Sequence, residues 1–183
     1  MRKLLYLLLL LLLPFVTYAQ SSPLATFNLE QASTLRTGML VLGGWAILNI
    51  LLASFKLTTT TRARRYFYHM NLYWNIINLL IAGIALHQII SSDKEAMALA
   101  ESIEQHIWFK KVLYLNVGLD VAYIFLGAYL EQRSKTALLK PERLQGWGQS
   151  VILQGFFLLL LDVVLVVFLE SIDEGLFILL PQV

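Results

Sequence analysis

The sequence predicts an all-α transmembrane four-helix bundle preceded by a cleavable signal peptide. Three observations carry that expectation. The chain of 183 residues is 58% hydrophobic and only 14% charged, whereas soluble domains carry about 25% charged residues. Four long segments, 37–55, 66–92, 112–130 and 144–169, contain no Lys, Arg or Glu. A short leucine-rich run behind Arg2 and Lys3 stands apart from them at the N-terminus. A globule of this length cannot bury so much apolar surface by itself, but lipid covers it directly.

The N-terminal run, Leu4 to Val16, is followed by Thr17-Tyr18-Ala19, with small residues at the two positions a signal peptidase reads. A basic start, a short apolar core and a small-residue exit describe a secretory leader. The core is also shorter than the roughly 20 residues a spanning helix needs. Residues 1–19 are therefore expected to be removed after Ala19, leaving 20–36 as a short external segment; the alternative is an uncleaved anchor.

The four spans are expected at about 37–57, 70–90, 112–130 and 150–169, within a transmembrane domain covering 37–169. Each charge-free segment is long enough to cross a hydrocarbon core of about 30 Å as a helix, which satisfies its own backbone groups. Aromatic residues such as Tyr66, Tyr68, Trp108, Tyr129 and Trp147 stand near the ends of these segments, where amphipathic rings favour the interface.

The charges give a direction. The first and third connections carry Lys56, Arg62, Arg64, Arg65, Arg133, Lys135, Lys140 and Arg143 against Glu131 and Glu142. The opposite side carries Arg36, Lys94, Lys110 and Lys111 against Glu30, Asp93, Glu95, Glu101, Glu104, Glu170, Asp173 and Glu174. Basic residues belong on the cytoplasmic side, so both termini of the processed chain are expected outside a bacterial inner membrane. In the connection 91–111, Ser92 and Glu95 have capping-box spacing. Ala96, Ala100, Ile103 and Ile107 recur at helical intervals, predicting an amphipathic helix on the outer surface or running into the third span. Pro141 suits a first helical turn. Within the external tail 170–183, the stretch Gly175 to Pro181 is apolar but too short to span, which places it at the interface.

Candidate functional residues are the polar ones inside the spans. Asn71, Asn75 and Asn78 repeat at i, i+4 and i+7, as do Asn116, Asp120 and Tyr123, and such spacing puts each set on one helix face. Gln154 and Asp162 lie in the fourth span; Asn49, one turn from Trp45, lies in the first. Asp120 and Asp162 are the charged residues within the segments. At 1.5 Å per residue they lie about 13 Å from Lys111 and about 12 Å from Glu170, which is one depth from one face. The expected site is Asn49, Asn75, Asn78, Asn116, Asp120, Tyr123, Gln154 and Asp162, the carboxyls hydrogen-bonding an asparagine such as Asn78 or Asn49. Two readings compete: polar glue between helices, and a carboxylate pair that takes a proton, cation or polar ligand.

Other chemistry is poorly provided for. There is no cysteine, so thiolate metal sites and thiol nucleophiles are excluded. His69, His87 and His106 are scattered, and no His-Glu-x-x-His motif, phosphate loop or serine elbow is present. No catalytic residue, metal or cofactor is expected, and the absence of a basic domain speaks against nucleic acid. The expected partners are the lipid bilayer and either a homo-oligomer or a membrane partner protein.

The segments GGWAILN (43–49), HMNLYWNIINLLIAG (69–83), LNVGLDVAYIFLG (115–127) and QGFFLLLLD (154–162) resemble a family of small bacterial four-helix membrane proteins of unknown function. The resemblance implies the fold and no activity. On the residues alone, a non-enzymatic binding or assembly component is expected first. A proton- or cation-coupled transporter or channel subunit using Asp120 and Asp162 comes second, and a membrane-embedded enzyme third.

The charge distribution makes a direct prediction about topology. Reporter fusions at Thr60 and Lys140 are expected to read cytoplasmic, and fusions at Ala98 and the C-terminus external; a cytoplasmic C-terminus would refute an even number of spans.

Overall fold

The computed structural model describes residues 22–94 and 96–173. The leader, the tail beyond Asp173 and Glu95 lie outside the described residues. Four helices run in sequence: α1 (Pro23–Leu57), α2 (Arg62–Ser91), α3 (Leu99–Ser134) and α4 (Pro141–Ser171). All four are long and apolar enough to cross a membrane. The shortest has 30 residues, a length of about 45 Å, so every helix outruns a hydrocarbon core of about 30 Å.

Local chemistry explains the ends. The Ser22 hydroxyl accepts from the Ala25 amide at 3.1 Å and Pro23 occupies the first turn, the usual equipment of a helix start. Helix α1 thus begins fourteen residues before the span expected at 37 and continues unbroken through Arg36. Pro141 opens α4 behind Lys140, which has a left-handed backbone at φ 50°. Ser92 and Glu95 have capping-box spacing, but Glu95 lies outside the described residues. Ser92 closes α2, its hydroxyl donating to the Gln88 carbonyl at 2.6 Å, because a hydroxyl at a helix C-terminus finds an orphan carbonyl one turn back. Helix α3 starts behind Ala98 without a side-chain cap and runs straight into the third charge-free segment, one of the two expected courses.

Helix α4 is the hub. It packs most extensively on α3, also on α2, and touches α1, while α1 and α2 pair with each other. Helices α2 and α3 barely touch. A close backbone approach joins α3 and α4: a Cβ on Gly148 would stand 2.6 Å from the Gly127 carbonyl oxygen and 2.8 Å from the Glu131 amide. Glycine on both sides lets the two backbones meet, as small residues do between membrane helices. Gly146 makes a similar approach to the first turns of α2, against Ala63 and Phe67.

The interior has two unlike halves. Towards the Lys94 end it holds an apolar cluster, Phe27, Leu35 and Leu42 of α1, Ala82 of α2, Leu113 of α3 and Leu161, Leu165 and Leu169 of α4, with Asn28, Gln31, Ser102 and His106 buried beside it. Towards the Arg62 end it is filled by amides, described below. The outer surface carries large apolar side chains, among them Leu51, Phe125 and Leu160, each more than 60% exposed, and lipid can cover them.

The backbone contact at Gly148 can be tested by adding one methyl group. Gly148→Ala is expected to destabilise the bundle by about 1–3 kcal/mol, the range for overpacking. Gly118→Ala, where nothing lies within 4 Å, is expected to leave the thermal unfolding of the detergent-solubilised protein unchanged or slightly raised. Equal behaviour of the two variants would contradict the close packing.

Candidate functional site

The expected polar residues separate into two groups that face different surroundings. Asn49, Asn75 and Gln154 join Asn71 and Trp45 in a buried network. The Asn71 amide donates to Asn49 Oδ1 at 3.0 Å, and Asn71 Oδ1 accepts from Asn75 at 2.8 Å and from Gln154 at 2.5 Å. Gln154 Oε1 accepts from the Trp45 indole at 2.9 Å, and Asn49 donates to the Trp45 carbonyl at 2.9 Å. Stacking of Trp45 on Phe157, with centroids 4.0 Å apart, seats the indole. Asn71, at the centre, thus ties α2 to α1 and to α4. These amides hydrogen-bond one another, which is the packing role, and leave only Asn75 Oδ1 among the network's buried polar atoms without a partner.

Asn78, Asn116, Asp120, Tyr123 and Asp162 instead line a cavity of about 790 Å³ between α2 and α3, backed by Leu35, Met39 and Leu42 of α1 and Leu158 of α4. The cavity follows from the helix arrangement: α2 and α3 are both held by α4, and nothing draws them together along most of their length. It runs from Ser92 to Trp74 on α2 and from Gln105 to Tyr123 on α3, about 27 Å along each helix. Where it ends, Trp74 and Tyr123 meet edge to face at 4.9 Å. Rim residues Ile77, Ile81 and Leu119 are 58%, 52% and 41% exposed, so the cavity opens sideways, towards the lipid-facing surface.

The walls are apolar along the middle and the polar groups gather at the ends, Asn78, Asn116, Asp120 and Asp162 at the deep one and Gln88, Ser92, Lys94 and Gln105 at the other. Asn116 hydrogen-bonds Asp162, rather than the Asn78 or Asn49 expected for a carboxyl, and Asp120 lies within electrostatic reach of Asp162. Asp120 and Asn78 are 3% and 5% exposed, yet Asp120 Oδ2 and Asn78 Nδ2 have no hydrogen-bond partner. At the other end, the Lys94 ammonium donates to Gln105 at 3.4 Å and its carbonyl accepts from Asn28 at 3.1 Å. Burial lowers the Lys94 ammonium below the ordinary lysine value, with Glu101 opposing the shift.

A third cluster has no counterpart among the expected residues. His106, buried on α3, places Nδ1 2.5 Å from Gln31 Oε1 and Nε2 on Asp173. Lys110, one turn on, reaches Asp173 at 2.5 Å and Glu170 at 2.9 Å, and Tyr114 donates to Glu170 at 2.6 Å. Burial pushes the Asp173 carboxyl up, but hydrogen bonds from Lys110 and His106 outweigh it and hold the group below the ordinary carboxylate value. The available signal was the run His106, Lys110, Tyr114 at four-residue spacing, opposite Glu170 and Asp173 three apart. Among the described residues, no group of three His, Cys, Asp or Glu could hold a metal ion.

The comparisons with known proteins give a family and no activity. The model of DUF6992, a family of unknown function, matches residues 41–163, which include most of the cavity and the whole amide network. The chain belongs to the DUF6992 family. No curated protein and no solved structure matches it. The DUF6992 match begins within α1 and ends just after Asp162, so Gln31 and Asp173 of the third cluster fall outside it.

Asn71 offers the sharpest test of the network. Asn71→Leu removes the group that Asn49, Asn75 and Gln154 share, and buried polar groups left unpaired cost about 1–3 kcal/mol. The variant is expected to unfold at a distinctly lower temperature in detergent than the parent; an unchanged melting temperature would show the network to be dispensable.

Proposed function

We propose that this protein is a membrane-embedded binding protein whose cavity takes up a long amphipathic molecule directly from the bilayer. The observation that carries the reading is the elongated cavity of about 790 Å³, apolar along its middle and polar at its ends. Its volume falls in the range of about 300–1,000 Å³ typical of small-molecule sites, which combine apolar walls with a few polar groups. The lateral gap between α2 and α3 supplies an entrance that needs no passage through water. In this reading the bilayer is a bacterial inner membrane, the leader is removed, and the Lys94 end of the cavity faces outward.

One observation favours a second reading. Asp120 and Asp162 share a depth and a cavity, and intramembrane acids commonly mark ion or proton paths. A proton- or cation-coupled subunit would use them, and four spans would then have to oligomerise to enclose a pathway.

Binding within the cavity is measurable by tryptophan quenching. A long-chain alcohol brominated along its chain, titrated into the protein in phosphatidylcholine nanodiscs, is expected to quench Trp74 saturably. The saturable component should vanish in Trp74→Phe and in Ala85→Phe, where a ring fills the middle of the cavity. Quenching that rises without saturation and is identical in Ala85→Phe would overturn the reading.

A further inference from the structure

The deep end of the cavity has an unbalanced chemistry. Two carboxyls, Asp120 and Asp162, stand within electrostatic reach of each other, each less than one-tenth exposed. Among the described residues, no Lys, Arg or His side chain lines that end; Lys94, the cation among the lining residues, is at the opposite end, about 24 Å away along the helices. Acids inside membranes are almost always paired with a cation or another partner. Asp120 Oδ2 is buried without a partner, and an unpartnered buried acceptor costs about 1–3 kcal/mol. The Asn78 amide, also without a partner at its nitrogen, is free to turn either end into the cavity. Trp74 and Tyr123 add aromatic rings, which attract cations.

We propose that this deep end is an ammonium site, so that the amphiphile is a long-chain amine; this rests on the cavity being a binding site and adds its head-group chemistry. An ammonium head supplies the positive charge missing from the deep end and gives three donors to the oxygens of Asp120, Asp162 and Asn78. The aliphatic chain lies along Leu42, Ile81 and Ile89 towards Lys94. A carboxylate or phosphate head is repelled by the two acids. A hydroxyl fills one hydrogen bond and leaves the acids without a counter-charge.

The test compares three probes with one chain: hexadecylamine, hexadecanol and hexadecanoate, each titrated against the full-length protein in phosphatidylcholine nanodiscs with Trp74 fluorescence as the readout. Charge-assisted hydrogen bonds are roughly twice as strong as neutral ones, so the amine is expected to half-saturate at about a tenfold lower concentration than the alcohol, and hexadecanoate is expected not to bind. Asp120→Asn and Asp162→Asn should each bring the amine towards the level of the alcohol, while Asp120→Glu retains the preference. Unchanged alcohol binding by the Asn variants certifies their fold; should one of them fail to fold, the other and the Glu variant carry the comparison. Equal affinity for amine and alcohol in the parent, or a preference surviving both Asn substitutions, would overturn the ammonium site and leave the binding cavity standing. Absence of saturable binding by any of the three probes would remove the cavity reading with it.

Discussion

At Gly127 and Gly148 the backbones of α3 and α4 touch, and the remaining arrangement depends on that contact. Side chains at either position would push the helices apart and turn α4 away from α2. With α3 held so closely, α4 still has a face free for α2, against which Gly146 packs, and an edge for α1. Helices α2 and α3 then share a neighbour without sharing an interface. The empty space between them is the geometric consequence of a tight pair elsewhere in the bundle.

The amides and the acids divide the interior according to whether partners are within reach. Near the Arg62 end α1, α2 and α4 converge, so Asn49, Asn71, Asn75 and Gln154 hydrogen-bond across three helices. Further along, α2 and α3 have separated. Asn78 belongs to the same helix face as Asn71 and Asn75, but it looks across the gap and finds no partner for its nitrogen. The same residue type at the same spacing is thus a structural element at one level and a cavity lining at the next.

The number and order of helices were legible in the sequence because four stretches without Lys, Arg or Glu are hard to explain otherwise. Their ends were not: α1 extends back to Pro23 because Ser22 and Pro23 start a helix locally, and the polar residues Glu30 and Arg36 can ride on it beyond the hydrocarbon. Spacing correctly grouped Asn71 with Asn75 and Asn78, and Asn116 with Asp120 and Tyr123. It could not show which group would be satisfied, since that depends on how the helices cross. The partners of His106 could not be found in the sequence because Gln31 and Asp173 lie 75 and 67 residues away in the chain, and only the completed bundle brings them to one place.

The bond from Asn71 to Asn49 has a consequence for how the chain enters a bilayer. These two residues lie in the first pair of helices, which is synthesised before α4 exists. An amide released alone into hydrocarbon is costly, and this bond lets the first hairpin leave the insertion machinery with that cost already reduced. Asn71 Oδ1 meanwhile holds Asn75 within its own helix and keeps capacity for a second donor. When Gln154 arrives on the last helix, it completes a junction that was half assembled, so the order of translation matches the order in which the buried amides find their partners.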